Sequence, residues 1–130
     1  MSPLVFLLVA LAGGVGAIAR FVLDGVIRAR AGTRLPWGTI AINVSGSLVL
    51  GIVTGLAASA ALPPEAAIIV GTGFLGGYTT FSTASFETVT LVRDRRHLLA
   101  AANGLGVLAT CTLIAALGLW LGMAVGAAIA

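Results

Sequence analysis

The chain has 130 residues, of which 59% are hydrophobic and only 8% charged, and its mean hydropathy is +1.15. Soluble domains carry about 25% charged residues, so a water-facing surface cannot be built from this material and lipid is the solvent that fits. The net charge of +3 does not point to nucleic acid: the Arg residues cluster beside apolar spans, where positive charge anchors and orients helices, and no aromatic residues interleave with them as in a strand-binding groove.

The charges divide the sequence into four uncharged stretches, residues 2–19, 35–64, 66–86 and 98–130. Each is long enough for the roughly 20-residue helix that a ~30 Å hydrocarbon core requires. The pattern therefore predicts an all-α integral membrane protein, a single membrane domain over residues 1–130 with no soluble domain.

Helix 1 is expected over residues 4–23. It lacks a basic segment before its apolar run, and Arg20 follows that run instead, so it does not read as a signal peptide. Loop 1, residues 24–36, carries Arg28, Arg30 and Arg34. Helix 2 is expected over residues 37–62, with Trp37 as an interfacial anchor and Pro63-Pro64 forcing a tight turn. Within it Thr39, Asn43 and Ser47 share one face. Asn43-Val44-Ser45 matches a glycosylation acceptor but lies inside the span.

Helix 3 is expected over residues 65–92. Gly71-Thr72-Gly73-Phe74-Leu75-Gly76 spells a dinucleotide fingerprint, yet that motif needs a strand and a soluble βαβ unit. Gly76-Gly77 followed by Thr79-Thr80 is poor helix material near the middle of the span, which predicts a helix broken at membrane depth. The carbonyls released there must meet protein, water or a cation, as in transporters whose discontinuous helices hold Na⁺. Thr79, Thr80, Ser82, Thr83 and Ser85 add hydroxyls along the same segment. Loop 3, residues 93–97, holds Arg93, Arg95, Arg96 and His97, with no partner ligands to make His97 a metal site.

Helix 4 is expected over residues 98–127. Its Cys111 stands alone and cannot form an internal disulfide. Gly118-x-x-x-Gly122-x-x-x-Gly126, like Gly51-x-x-x-Gly55 in helix 2, puts small residues on one face so that backbones approach closely.

No nucleophile–base–orienter set is present, and the acids look isolated near span ends, which excludes an enzyme. The polar groups inside the spans are amides and hydroxyls that can donate to an anion, and no acidic ring suited to conducting cations is present. These features predict a polar, uncharged route through a small bundle.

The runs Gly13-Gly14-x-Gly16-Ala17-x-x-Arg20-Phe21, Gly38-Thr39-x-x-x-Asn43-x-x-Gly46 and Gly73-Phe74-x-Gly76-Gly77-x-Thr79-Thr80-Phe81-Ser82-Thr83 resemble, in order, three signatures of the Fluc (CrcB-type) fluoride channels. The resemblance implies a passive, fluoride-selective channel exporting cytoplasmic fluoride, built as an antiparallel dimer of four-helix subunits. It implies a structural Na⁺ at the dimer centre on carbonyls matched by Gly76 and Thr79. It also implies an anion pathway matched by Asn43 and Phe81, with Thr39, Thr80, Ser82 and Thr83 beside them, and structural or vestibule roles for Arg20 and Glu87. One position departs from the family pattern: Ala84 stands where a second phenylalanine is expected, and Phe86 is about 200° round a helix from it.

Two other classes share parts of this pattern. A small proton-coupled multidrug or cation exporter needs a carboxylate in the membrane interior; helix 1 is expected to have none, and Glu87 lies near the end of helix 3. A non-conducting accessory subunit of a heterodimeric fluoride channel is the other, and Ala84 is the residue that favours it. Finally, loops 1 and 3 carry Arg28, Arg30, Arg34, Arg93, Arg95 and Arg96, whereas the opposite face carries no Arg or Lys. That asymmetry predicts a cell-membrane protein with loops 1 and 3 in the cytoplasm, pairing with an oppositely oriented homologous subunit rather than with itself.

Overall fold

The computed structural model describes residues 1–32 and 34–129; Thr33, within the expected loop 1, and Ala130 lie outside the described residues. Helix α1 runs Pro3–Ala31, opened by Ser2, whose Oγ accepts from the Val5 amide at 3.2 Å, and by proline in its first turn. Both are standard start signals. The helix continues well past the expected end at residue 23. Nothing in residues 24–31 breaks a helix, Asp24 and Arg28 pair one turn apart, and the stop comes only at Gly32 with φ +74. Asp24, expected in a loop, therefore sits on helix 1, and loop 1 is reduced to the short connection before Trp37.

Helix α2 spans Trp37–Ala58 and ends four residues before the expected boundary. Its end is a Schellman turn: the Ala61 amide donates to Leu56 O (2.9 Å), the Ala60 amide to Ala57 O (3.1 Å), and Ala60 takes φ 58. Pro63-Pro64 follows as a connector, with Pro64 opening the next helix.

Residues 64–93, where one long helix was expected, form two helices. Helix α3 covers residues 64–78 and includes a π-helical stretch at Ile69–Leu75, with Gly76–Tyr78 as its last turn. Thr79 (φ −79, ψ 160) and Thr80 (φ −148, ψ 121) are extended, and helix α4 then runs Phe81–Arg93. The chain turns at Arg95, again through a Schellman turn, with the Arg96 amide on Leu91 O at 2.9 Å. Helix α5, His97–Ile129, contains a second π-helical stretch at Ala102–Gly106. By length and composition α1, α2 and α5 can each cross a membrane as a continuous helix; α3 and α4 are each shorter than those three.

Two glycine seams hold the bundle. Along α2 and α5, a Cβ at Gly51 would lie 2.8 Å from the Leu119 amide, and one at Gly55 would lie 2.7 Å from the Met123 amide. Gly118 and Gly122 face Leu48 O and Ile52 O in return. Along α1 and α3, Gly16 abuts Phe74 O and Gly77 abuts Gly13 O. Gly76 and Gly77 thus remain helical. Gly77 serves the approach to α1, while the non-helical residues are the β-branched pair Thr79-Thr80, which suits extended backbone.

Candidate functional site

An interrupted helix leaves amides and carbonyls without ladder partners, and at membrane depth other helices must supply them. Asn43 on α2 does so for the centre of the break. Its Oδ1 accepts from the Thr80 amide (2.8 Å) and its Nδ2 donates to the Thr80 carbonyl (2.9 Å), so one carboxamide completes both sides of one residue. Gly46, one turn on, has no Cβ that would strike Thr79 Cγ2 or crowd Tyr78. From α1, Arg20 Nε donates to Gly77 O at 3.2 Å.

Side chains of the break finish the work locally. Thr80 Oγ1 caps α4 by accepting from the Thr83 amide (3.2 Å) and donates to Thr83 Oγ1 (3.1 Å). Ser82 Oγ lies 3.3 Å from Thr80 Oγ1. Thr79 Oγ1 turns back to Leu75 O at 2.9 Å. The carbonyls of Gly76 and Thr79 receive no hydrogen bond among the described residues. Ser45 Oγ and Tyr78 OH meet at 3.0 Å on the α2 side of the break.

From the break a file of polar groups runs towards the Arg-rich end. Thr39 and Asn43 are a turn apart on α2, and Thr80, Thr83 and Glu87 recur at helical spacing on α4. Thr39 Oγ1 donates to Glu87 Oε1 (3.1 Å), which also takes Arg28 Nη2 (2.6 Å); Arg28 Nε in turn reaches Asp24 Oδ2 (2.7 Å). The acids expected to be isolated are therefore two to a cluster, Asp24 and Glu87 sharing Arg28. The lengthened α1 is the reason, since it carries both Asp24 and Arg28 to the foot of α4. Beside this cluster an open cavity of about 360 Å³ is lined by Arg28, Arg34, Arg96, Trp37, Phe86 and Glu87, among others.

The structure thus brings together Asn43, Thr80, Ser82 and Thr83, and a turn away Thr39 with Glu87. It does not bring Phe81 to them within one chain, because the ring is 85% exposed. Asp24, Arg28 and Asn103 were not legible as site residues. Asn103, 4% exposed in the π-helical stretch of α5, donates to Thr88 Oγ1 (2.8 Å) and to Ala84 O (3.5 Å). A lone amide inside an uncharged span was its only signal.

Fold and composition together define an all-helical membrane protein. Residues 7–119 match the family described as CrcB-like protein, Camphor Resistance (CrcB). The chain is 58% identical over 122 residues to the fluoride-specific ion channel FluC 1 of Leifsonia xyli subsp. xyli, covering 94% of this chain and 89% of that protein. It is 44% identical over 114 residues to the fluoride-specific ion channel FluC of Syntrophotalea carbinolica, covering 87% and 93%. With FluC 2 of Mycobacterium tuberculosis, a third fluoride-specific ion channel, it shares 41% over 113 residues, covering 87% and 86%. The chain belongs to the CrcB-like family, whose named relatives are ion channels and not enzymes.

Proposed function

We infer that the chain is a subunit of a fluoride-selective channel that lets cytoplasmic fluoride leave down its gradient, without proton or ATP coupling. The observation that carries this is the file from Asn43 and Thr80 through Thr83 to Thr39, hydroxyls and one amide between the break and an Arg-lined cavity. The names of the relatives supply the anion. A small, strongly hydrated anion needs close N–H and O–H donors in place of water, each weak enough to release it. Asn43 Nδ2 has two hydrogens; one holds Thr80 O and the other remains for an anion. The Thr and Ser hydroxyls rotate to donate in turn.

The break also fits a structural Na⁺. Gly76 and Thr79 offer carbonyl oxygens with no donor among the described residues, which is the donor set a hard monovalent cation takes. Such an ion would neutralise these carbonyl dipoles. Arg20 does the same for Gly77 O within the chain. In this reading Phe81 meets a second subunit, where its electropositive ring edge would face an anion; its 85% exposure beside the break supports that role. The second subunit in this reading is an antiparallel homologue of opposite orientation. The six-to-none Arg asymmetry between faces supports one fixed insertion, loops 1 and 3 inward.

Reconstituted liposomes loaded with fluoride and chloride test the reading. Rapid fluoride release with chloride retained is expected when the homologue is supplied; robust release from the chain alone would overturn the need for that partner. Equal rates for both anions, or drug-dependent proton flux, would overturn it. Flux and assembly unchanged by Na⁺ removal would overturn the cation site alone, and mixed inside and outside signals from C-terminal reporters would overturn the single orientation.

A further inference from the structure

Glu87 presents a difficulty to any anion route through this end of the bundle. Its side chain is only 13% exposed, and Oε1 meets the hydroxyl of Thr39, a member of the polar file. A nearly buried carboxylate beside an anion's path repels the anion more strongly than one in water would, because the local dielectric is low. Oε2 is buried with no partner among the described residues, so every donor that meets this carboxylate meets it at Oε1.

Arg28 is the group that offsets it. It stands a turn beyond Asp24 on α1 and reaches across to α4, where Nη2 lies 2.6 Å from Glu87 Oε1. Its side chain, 53% exposed, is long and mobile by nature, yet here its orientation is fixed from behind by Asp24 Oδ2 on Nε at 2.7 Å. Asp24 is itself wedged. A Cβ at Gly38 would collide with Asp24 Oδ1 and lie 3.1 Å from its Cγ, so the carboxylate fits only because the second residue of α2 is a glycine. The first turn of α2 has no side-chain cap, and an anionic group beside a helix N-terminus is favoured by the helix dipole.

We propose that Arg28 is a positioning residue of the conduction pathway: it neutralises Glu87 at the Arg-rich mouth, with Asp24 and Gly38 holding its guanidinium in place. The proposal rests on the anion-channel reading for its effect on flux, but the ion pair itself does not. Without Arg28, Glu87 would remain as a buried, uncompensated charge at Thr39.

The test compares wild type, Arg28→Lys, Arg28→Ala, Glu87→Gln and the double variant Arg28→Ala/Glu87→Gln in fluoride-loaded liposomes, each shown to be monodisperse beforehand. Arg28→Ala is expected to slow fluoride efflux by about tenfold or more, as one uncompensated charge near the path requires. Arg28→Lys should keep most of the rate, and the double variant should recover it, since removing the carboxylate removes the need for its partner. A purely structural Arg28 would not be rescued by Glu87→Gln. Wild-type efflux from Arg28→Ala, or a double variant as slow as Arg28→Ala, would overturn the proposal while leaving the channel reading intact. No fluoride efflux from wild type, with its homologue supplied, would overturn the channel reading and with it the pathway role. Thermal unfolding of the same variants reads the pair directly: effects of Arg28→Ala and Glu87→Gln that simply add would overturn the ion pair, and a smaller combined effect supports it.

Discussion

Glycines line both the seam between α2 and α5 and the approaches to the break at Thr79–Thr80, but what surrounds them differs. In the seam Gly51, Gly55, Gly118 and Gly122 face the backbone oxygens and amides of the opposite helix, and every neighbour is apolar or main chain. The helices there are continuous, so their own hydrogen bonds are complete and glycine has only to admit a neighbour. At the break Gly46 makes the same kind of room for Thr79, yet the ladder is interrupted. Asn43 from α2, Arg20 from α1 and the Thr80 hydroxyl within the break itself complete it. Close approach serves packing in the first region. In the second it brings polar groups from neighbouring helices to one point of the bundle.

That contrast can be broken at several points. Asn43→Leu keeps the volume but leaves the Thr80 amide and carbonyl unmet, at about 1–3 kcal/mol for each group. The largest loss of unfolding free energy in detergent is expected here. Gly122→Leu attacks the seam. Its side chain would meet Ile52 O and lie within 3.0 Å of Gly55 Cα, and overpacking of this kind costs about 1–3 kcal/mol. A lowered unfolding midpoint in detergent is expected, with the polar file unchanged in composition. Thr80→Val removes the cap on Thr83 with little change of shape, at about 1 kcal/mol. Ser82→Ala, at an exposed hydroxyl 3.3 Å from Thr80 Oγ1, should shift stability by no more than about 0.5 kcal/mol. A Ser82→Ala effect as large as that of Asn43→Leu would contradict the division of labour at the break.

Much of the fold was legible because lipid leaves few choices. Long uncharged stretches must be helices, and glycines four apart in such helices must face something close. The ends were misread where loop signals were weak. Residues 24–31 carry charge without Pro or paired Gly, and charge alone does not stop a helix that has reached the membrane surface. At the other end of α2, the Pro63-Pro64 signal was strong enough to hide the earlier turn at Ala60. Asn43 stood out as a carboxamide in an apolar span, and the threonines after Gly77 stood out by number. Asp24 and Arg28 did not, since their meeting with Glu87 depends on how far α1 continues and on where α4 ends after the break. Pairings across three helices are set by packing distances that no spacing in the chain encodes.

In the proposed channel an anion passes beside Asn43 and Thr80. Fluoride efflux from liposomes containing Asn43→Asp, at the same reconstituted density as wild type and with assembly verified, tests it most directly. A carboxylate at that depth costs an approaching anion several kcal/mol, so the rate should fall by about a hundredfold or more. An assembled Asn43→Asp protein that releases fluoride at the wild-type rate would contradict it.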